Sequence, residues 1–94
     1  MSKRKKELNY RTMWIHNPPA LDDEGMDPHS FAKYSEARMH ESELNKLKTV
    51  DKKIYGTTEF ITLICNLFHY SVVSIVPYHT GSDVWWFYVT LLKD

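Results

Sequence analysis

Cys65 and His69 stand four residues apart, one turn of a helix, and this pair comes nearest to a reaction centre in the 94-residue chain. A cysteine nucleophile needs an electropositive, partly exposed setting and a base to draw off its proton. Cys65 instead lies between Ile64 and Leu67 on an apolar stretch. A zinc site would need a second pair of ligands at matching spacing. The other histidines, His16, His29, His40 and His79, are scattered and form no His-x-His or His-Glu-x-x-His pattern. A structural thiol beside a helix-terminal histidine is therefore the expectation, with no catalytic residue, no metal and no cofactor. A small Cys/His-dependent enzyme or metal protein is the least favoured alternative.

Two charged groups and one aromatic group also invite chemistry. Asp22, Asp23, Glu24 and Asp27 cluster on a stretch of loop character, but without the alternating oxygen ligands and terminal bidentate acid of a calcium loop. They read as solvated acids. Lys3, Arg4, Lys5 and Lys6 could contact phosphate. The run has no interleaved aromatics, so a solubilising terminus is the plainer reading, with nucleic-acid binding as an alternative. Trp14, Trp85, Trp86, Phe87 and Tyr88 form an aromatic set that suits either a core or a protein interface, where Trp and Tyr act as anchors.

These residues must be placed by elements, and the sequence implies most of them. Phe60, Ile61, Ile64, Leu67 and Phe68 recur at the spacing of one helical face, widened by Leu63. Thr57 or Thr58 could cap that helix, with Glu59 in its first turn. From Tyr70 the β-branched run Val72, Val73, Ile75 and Val76 reads as a strand that ends or reaches an edge near Pro77. The stretch 80–83 has turn chemistry around Gly81, and 84–92 reads as a second strand, making an antiparallel hairpin. Along that last strand Val84, Trp86, Tyr88, Thr90 and Leu92 share one face, and Trp85, Phe87, Val89 and Leu91 the other. Both faces are largely apolar. A helix layer covers only one of them, so the other needs cover from this chain, a second copy or a partner.

Residues 9–16 alternate as a further strand, which should join the hairpin, since a hairpin alone is marginal. Asn17-Pro18-Pro19 ends it. Asp27-Pro28 is a helix start, a capping acid followed by proline at the first helical position. Helical signal then continues to about Tyr55, with Gly56 as a stop. Leu44, Leu47, Val50 and Ile54 form its clearest stripe. The stretch reads either as one long helix or as two with a bend near His40–Ser42.

At 43% hydrophobic and 14% aromatic, 94 residues make one small globular domain. The formal net charge is zero, which excludes a global field that steers the chain to nucleic acid. It is uneven: five cations against Glu7 give residues 1–11 a net +4, leaving −4 elsewhere. A single cysteine permits no internal disulfide. The basic start runs into polar residues rather than an apolar stretch, so no signal peptide is read. The apolar run 60–76 is broken by Asn66, His69 and two serines and falls short of the ~20 residues of a membrane span. The expected location is cytoplasmic.

The stretches 10–15 (YRTMWI), 60–68, 69–77 (HYSVVSIVP) and 86–93 also resemble a small uncharacterised bacterial and phage family, a domain of unknown function. Its members open on a strand like WEYKVV and close on a hairpin like GWELVSVVP…YYVLKR. The resemblance covers about half the chain. It departs where His69-Tyr70 replaces Gly-Trp, where Ser71 replaces an acid, and in the extra segment 27–55. It implies a β-α-β-β core and supplies no catalytic residues.

The combined expectation is an α+β fold. A three-stranded antiparallel sheet carries a core helix over 58–69, and a long helical insertion over about 27–55 separates that helix from the first strand. Residues 1–8 would be a mobile basic tail on a single 9–94 domain. The expected function is a small non-enzymatic protein-interaction module, a regulator or inhibitor of phage or bacterial type. It would bind a larger protein or a second copy of itself through Trp14, Trp85, Trp86, Phe87 and Tyr88, with one alternate set given to the core.

Overall fold

The structure, a computed structural model, describes residues 9–17, 24–81 and 84–94. Its elements are β1 (Tyr10–Asn17), α1 (Pro28–Tyr34), α2 (Glu41–Leu47), α3 (Thr57–Phe68), β2 (Tyr70–Thr80) and β3 (Val84–Lys93). The strands form one antiparallel sheet in the order β1-β3-β2. β3 pairs Leu91, Val89 and Phe87 with Arg11, Met13 and Ile15 on one side, and with Val72, Ile75 and Pro77 on the other. Its central place leaves β3 no free edge, and its odd-numbered residues Phe87, Val89 and Leu91 face the core, while among the described residues the apolar side chains of its other face are left without a covering layer. Val73 is bulged out of the β2–β3 register.

The α+β class and the three-stranded sheet are as expected, and α3 falls where its stripe predicts. All three helices lie on one face. Met13, Ile15, Val89 and Leu91 meet Phe31 and Ala32 of α1, Leu47 of α2, Ile54, and Phe60, Ile61 and Ile64 of α3 in a single buried core. The Phe31 and Phe60 rings pack 4.9 Å apart at its centre.

The long helical insertion is not formed. α1 and α2 are two separate helices of seven residues each, and 48–56 is irregular. Asp27 and Pro28 do start α1, the Asp27 carboxylate accepting from the Ser30 amide at 3.1 Å. The chain then leaves the helix at Ser35, and Glu36 takes a positive φ of 58°. The competing bonds are tertiary: the Ser35 carbonyl accepts from the His16 amide of β1 at 2.8 Å, and the Arg38 carbonyl from the Arg11 guanidinium at 2.9 Å. Ile54 is buried by a bridge to Met26, with both backbone bonds made at 2.7–2.9 Å, rather than by a helix. Gly25 allows that turn: its φ is 69°, and an added Cβ would sit 2.8 Å from the Tyr55 ring.

Neither threonine caps α3. Gly56 is the cap residue, and the Thr57 hydroxyl donates to Asn17 Oδ1 at 2.8 Å, tying the helix start to the end of β1. Glu59 accepts from the Tyr55 amide at 2.6 Å. At the other end His69 turns the chain into β2 with φ 64°, and the Lys93 ammonium donates to the Phe68 carbonyl. Among the described residues no helix is long and apolar enough to cross a membrane.

Candidate protein-docking face

The face of the sheet turned away from the helices carries Tyr10, Thr12, Trp14 and His16 from β1 and Trp86, Tyr88, Thr90 and Leu92 from β3. Ser71, Ser74, Val76 and Tyr78 complete it from β2. None of these twelve residues is Asp, Glu, Lys or Arg. No described element covers them, and Trp14 is 45% exposed.

Trp14 organises the surface. It comes from one outer strand and Tyr78 from the other, yet their ring centroids are 5.2 Å apart, so the two side chains meet over the central strand. Trp14 also lies 4.8 Å from Tyr88, its partner in register, and 6.5 Å from Trp86 in an edge-to-face arrangement of 82°. His16 packs on Trp86 at 4.8 Å. Offset and edge-to-face contacts of this kind suit the ring quadrupoles and hold the side chains in fixed orientations. The surface is therefore assembled before anything binds, which lowers the ordering cost of an interface.

A groove of about 470 Å³ borders this patch at the edge of β1, with Trp14, Trp86 and Tyr88 as its apolar wall and Glu36 and Arg38 as its charged rim. Trp14 and Trp86 also line a shallow, open apolar depression between them. Glu36 holds its rim position with a left-handed backbone, a conformation that costs a non-glycine residue free energy.

The rim is held from below by an ion pair. Arg11 points to the helix side with Met13 and Ile15, and its guanidinium bonds the Glu43 carboxylate of α2. It also donates to the Arg38 carbonyl and, at 3.3 Å, to the Tyr70 hydroxyl. Both charged side chains are largely buried. Burial opposes ionisation of Glu43, but the bonds from Arg11 and from the His40 amide outweigh it and hold the carboxyl below its ordinary value. Burial likewise opposes the Arg11 charge, and its bonds to Glu43 and Tyr70 raise its value overall. Sequence reasoning missed this clamp. The available signal was an arginine in phase with Met13 and Ile15 on the inward side of a strand, where a cation requires a partner.

The predicted contact residues divide between the two faces. Trp14, Trp86 and Tyr88 are brought together on the open face. Phe87 lies on the helix side, packed against the core and beside Ile61 and Ile75 in a small hollow. Trp85 is also on the helix side, yet beyond the helix layer; it remains 43% exposed and packs on His79 at 4.6 Å. Tyr78 and Tyr10 belong to the open surface and were not singled out. The signal for Tyr10 was its parity with Thr12 and Trp14 along β1, opposite Met13 and Ile15.

The remaining candidates are not assembled into sites. Lys3, Arg4, Lys5 and Lys6 lie outside the described residues, as do Asp22 and Asp23. Asp27 is used as a helix cap, and the Ser30 bonds lower its carboxyl's value. Burial, and then the Asp94 carboxylate, push the Cys65 thiol above its ordinary value, opposite to the shift that activates a nucleophile. Among the described residues no three His, Cys, Asp or Glu side chains gather as a metal site.

No family model, curated protein or solved structure matches the chain.

Proposed function

We propose that this chain is a small non-enzymatic protein-interaction module that docks on a larger protein through the open aromatic face, acting as a regulator or inhibitor by occupying its partner. The observation that carries this reading is the combination, on one uncovered face, of interlocked Trp14, Tyr78, Trp86 and Tyr88 with no charged side chain among twelve positions. Tryptophan and tyrosine are enriched among the residues that carry interface energy, and depletion of charge marks interface centres. Glu36 and Arg38 at the rim would set the orientation of the partner, as peripheral charges do.

The same rings could stack on nucleic-acid bases. Such platforms are combined with cations that follow the phosphates, and none of the twelve described positions of this face is a cation. Docking on protein is the reading it favours.

The test is retention of a partner from lysate of the source cells by immobilised wild type, Trp14→Ala, Trp86→Ala and Trp85→Ala chains. A stoichiometric protein held by wild type and Trp85→Ala but released by the other two supports the proposal. A partner held equally by all four sinks it. Retention of nucleic acid that falls steeply with salt would move the function to the alternative.

A further inference from the structure

From the outer edge of the sheet we infer that two copies of this chain pair antiparallel through β2 and so form one continuous six-stranded sheet. The two edges of the sheet are unlike. β1 is covered at His16, whose amide reaches the Ser35 carbonyl. Among the described residues, β2 pairs with nothing but β3 along its whole length, and every residue of 71–79 is exposed. Five of those residues are large and apolar: Val72, Val73, Ile75, Val76 and Tyr78, each 39–52% exposed. Val72 and Ile75 point to the helix side and Val76 and Tyr78 to the open side, so the edge is apolar along both of its faces. A neighbouring strand meets side chains of both faces along the edge. A helix laid on one face does not.

A second copy fits this edge for two reasons. A two-fold axis sets residue i of one β2 against residue j of the other and j against i, so a charge near the axis would meet its like. The β2 sequence YSVVSIVPYHT contains no Asp, Glu, Lys or Arg, and hence none of the edge charges by which monomers prevent pairing. The chain's own N-terminal segment is a poor occupant, because five of residues 1–8 are charged.

The area supports a reversible dimer. At roughly 100 Å² of apolar surface for each aliphatic side chain and about 175 Å² for tyrosine, 39–52% exposure leaves on the order of 250 Å² per copy. A pair would bury at most about 500 Å², with Val76 and Tyr78 still partly open on the docking side, so no more than about half the apolar part of a standard ~1,600 Å² interface. A weak pairing that depends on concentration is therefore expected. Proline is tolerated where its nitrogen faces away from the ladder, so Pro77 offers no outward donor and the pairing centres on residues 70–76. An axis perpendicular to the sheet leaves both aromatic faces on the same side. The dimer would thus present the docking surface twice. The pairing itself does not depend on the docking reading.

The experiment is sedimentation velocity of the full chain from the low micromolar to the sub-millimolar range. Wild type should pass from monomer to dimer and stop there, because a two-fold pairing uses β2 of both copies and closes. Val73→Lys, at the half-exposed bulge, should weaken the dimer at least tenfold, while Trp14→Ala and Trp86→Ala keep it. Hydrogen exchange on wild type, which needs no variant, should show β2 amides slowing as concentration rises. A monomer at every concentration overturns the inference, as does unlimited growth. So does a dimer that Val73→Lys retains or that the tryptophan variants abolish.

Discussion

Replacing Glu43 by alanine should unfold this protein more readily than any other single change outside its apolar core. Glu43 and Arg11 are the ion pair between α2 and β1, with side chains only 9% and 13% exposed. Removing one partner of a buried pair costs about 3–5 kcal/mol, mainly because the other charge is left uncompensated. Arg11 would keep the Arg38 carbonyl at 2.9 Å and the Tyr70 hydroxyl at 3.3 Å, which draws the cost to the lower end. The His40 amide would lose its bond of 2.9 Å to Glu43 at the start of α2. The expected total is about 3 kcal/mol, and at about 4–8 °C per kcal/mol for a domain of this size the melting temperature should fall by roughly 12–24 °C. Urea denaturation followed by circular dichroism reads the loss directly. The double variant Arg11→Met with Glu43→Leu should recover most of it, because an apolar pair leaves no buried charge. The pH dependence has a definite sign. Glu43 holds its proton less tightly when folded than its ordinary value of 4.5. Its contribution is therefore complete above that value and is lost as pH falls through the lower folded one. Glu43→Gln should flatten the stability profile in that acid window. A Glu43→Ala loss below about 1 kcal/mol would mark an ordinary surface pair and refute the reasoning. A double variant no better than the single would refute it equally.

Glu36→Gly should raise stability by about 0.5–1 kcal/mol, since φ 58° suits glycine, and a lowered melting temperature would contradict this. Cys65 should react with iodoacetamide more slowly than a free cysteine at pH 8, and Asp94→Asn should speed it, because the Asp94 charge opposes the thiolate. Trp14→Ala should cost about 1–2 kcal/mol, the scale of its ring contacts on an open face, whereas Phe60→Ala should cost about 3–5 kcal/mol from the core; parallel urea titrations compare the two.

The strands were legible because alternation is a strong signal. Met13 and Ile15 on one side of β1, with Tyr10, Thr12 and Trp14 on the other, sort between core and open face as the sequence implies. The helix α3 was legible for a similar reason, its stripe Phe60, Ile61 and Ile64 being buried. The insertion was misread because residues 35–40 contain no glycine or proline, and Ala37, Arg38 and Met39 favour helix. What breaks the helix is a demand from elsewhere: β1 needs the Ser35 carbonyl, and Arg11 needs that of Arg38. Ile54 completed a helical stripe in the sequence, yet its burial comes from the bridge to Met26. Strand order was not written locally either. The doubly apolar β3 implied a buried strand without saying that β1 would pair with it on the side opposite β2. For the site, the aromatic surplus was visible and the division of its members was half visible. Parity separates Trp86 and Tyr88 from Trp85 and Phe87. Only the placement of all three helices on one side shows which set stays open.

The central claim is that the face bearing Trp14, Tyr78, Trp86 and Tyr88 is where another protein docks. Site-specific photocrosslinking in the source cells tests it most directly, with a photoreactive benzoylphenylalanine placed at Thr12 on the open face or at Asn66 on the exposed side of α3. The account predicts one discrete heterologous adduct from position 12 and none from position 66. An adduct from position 66 alone, or no adduct from position 12, would contradict it.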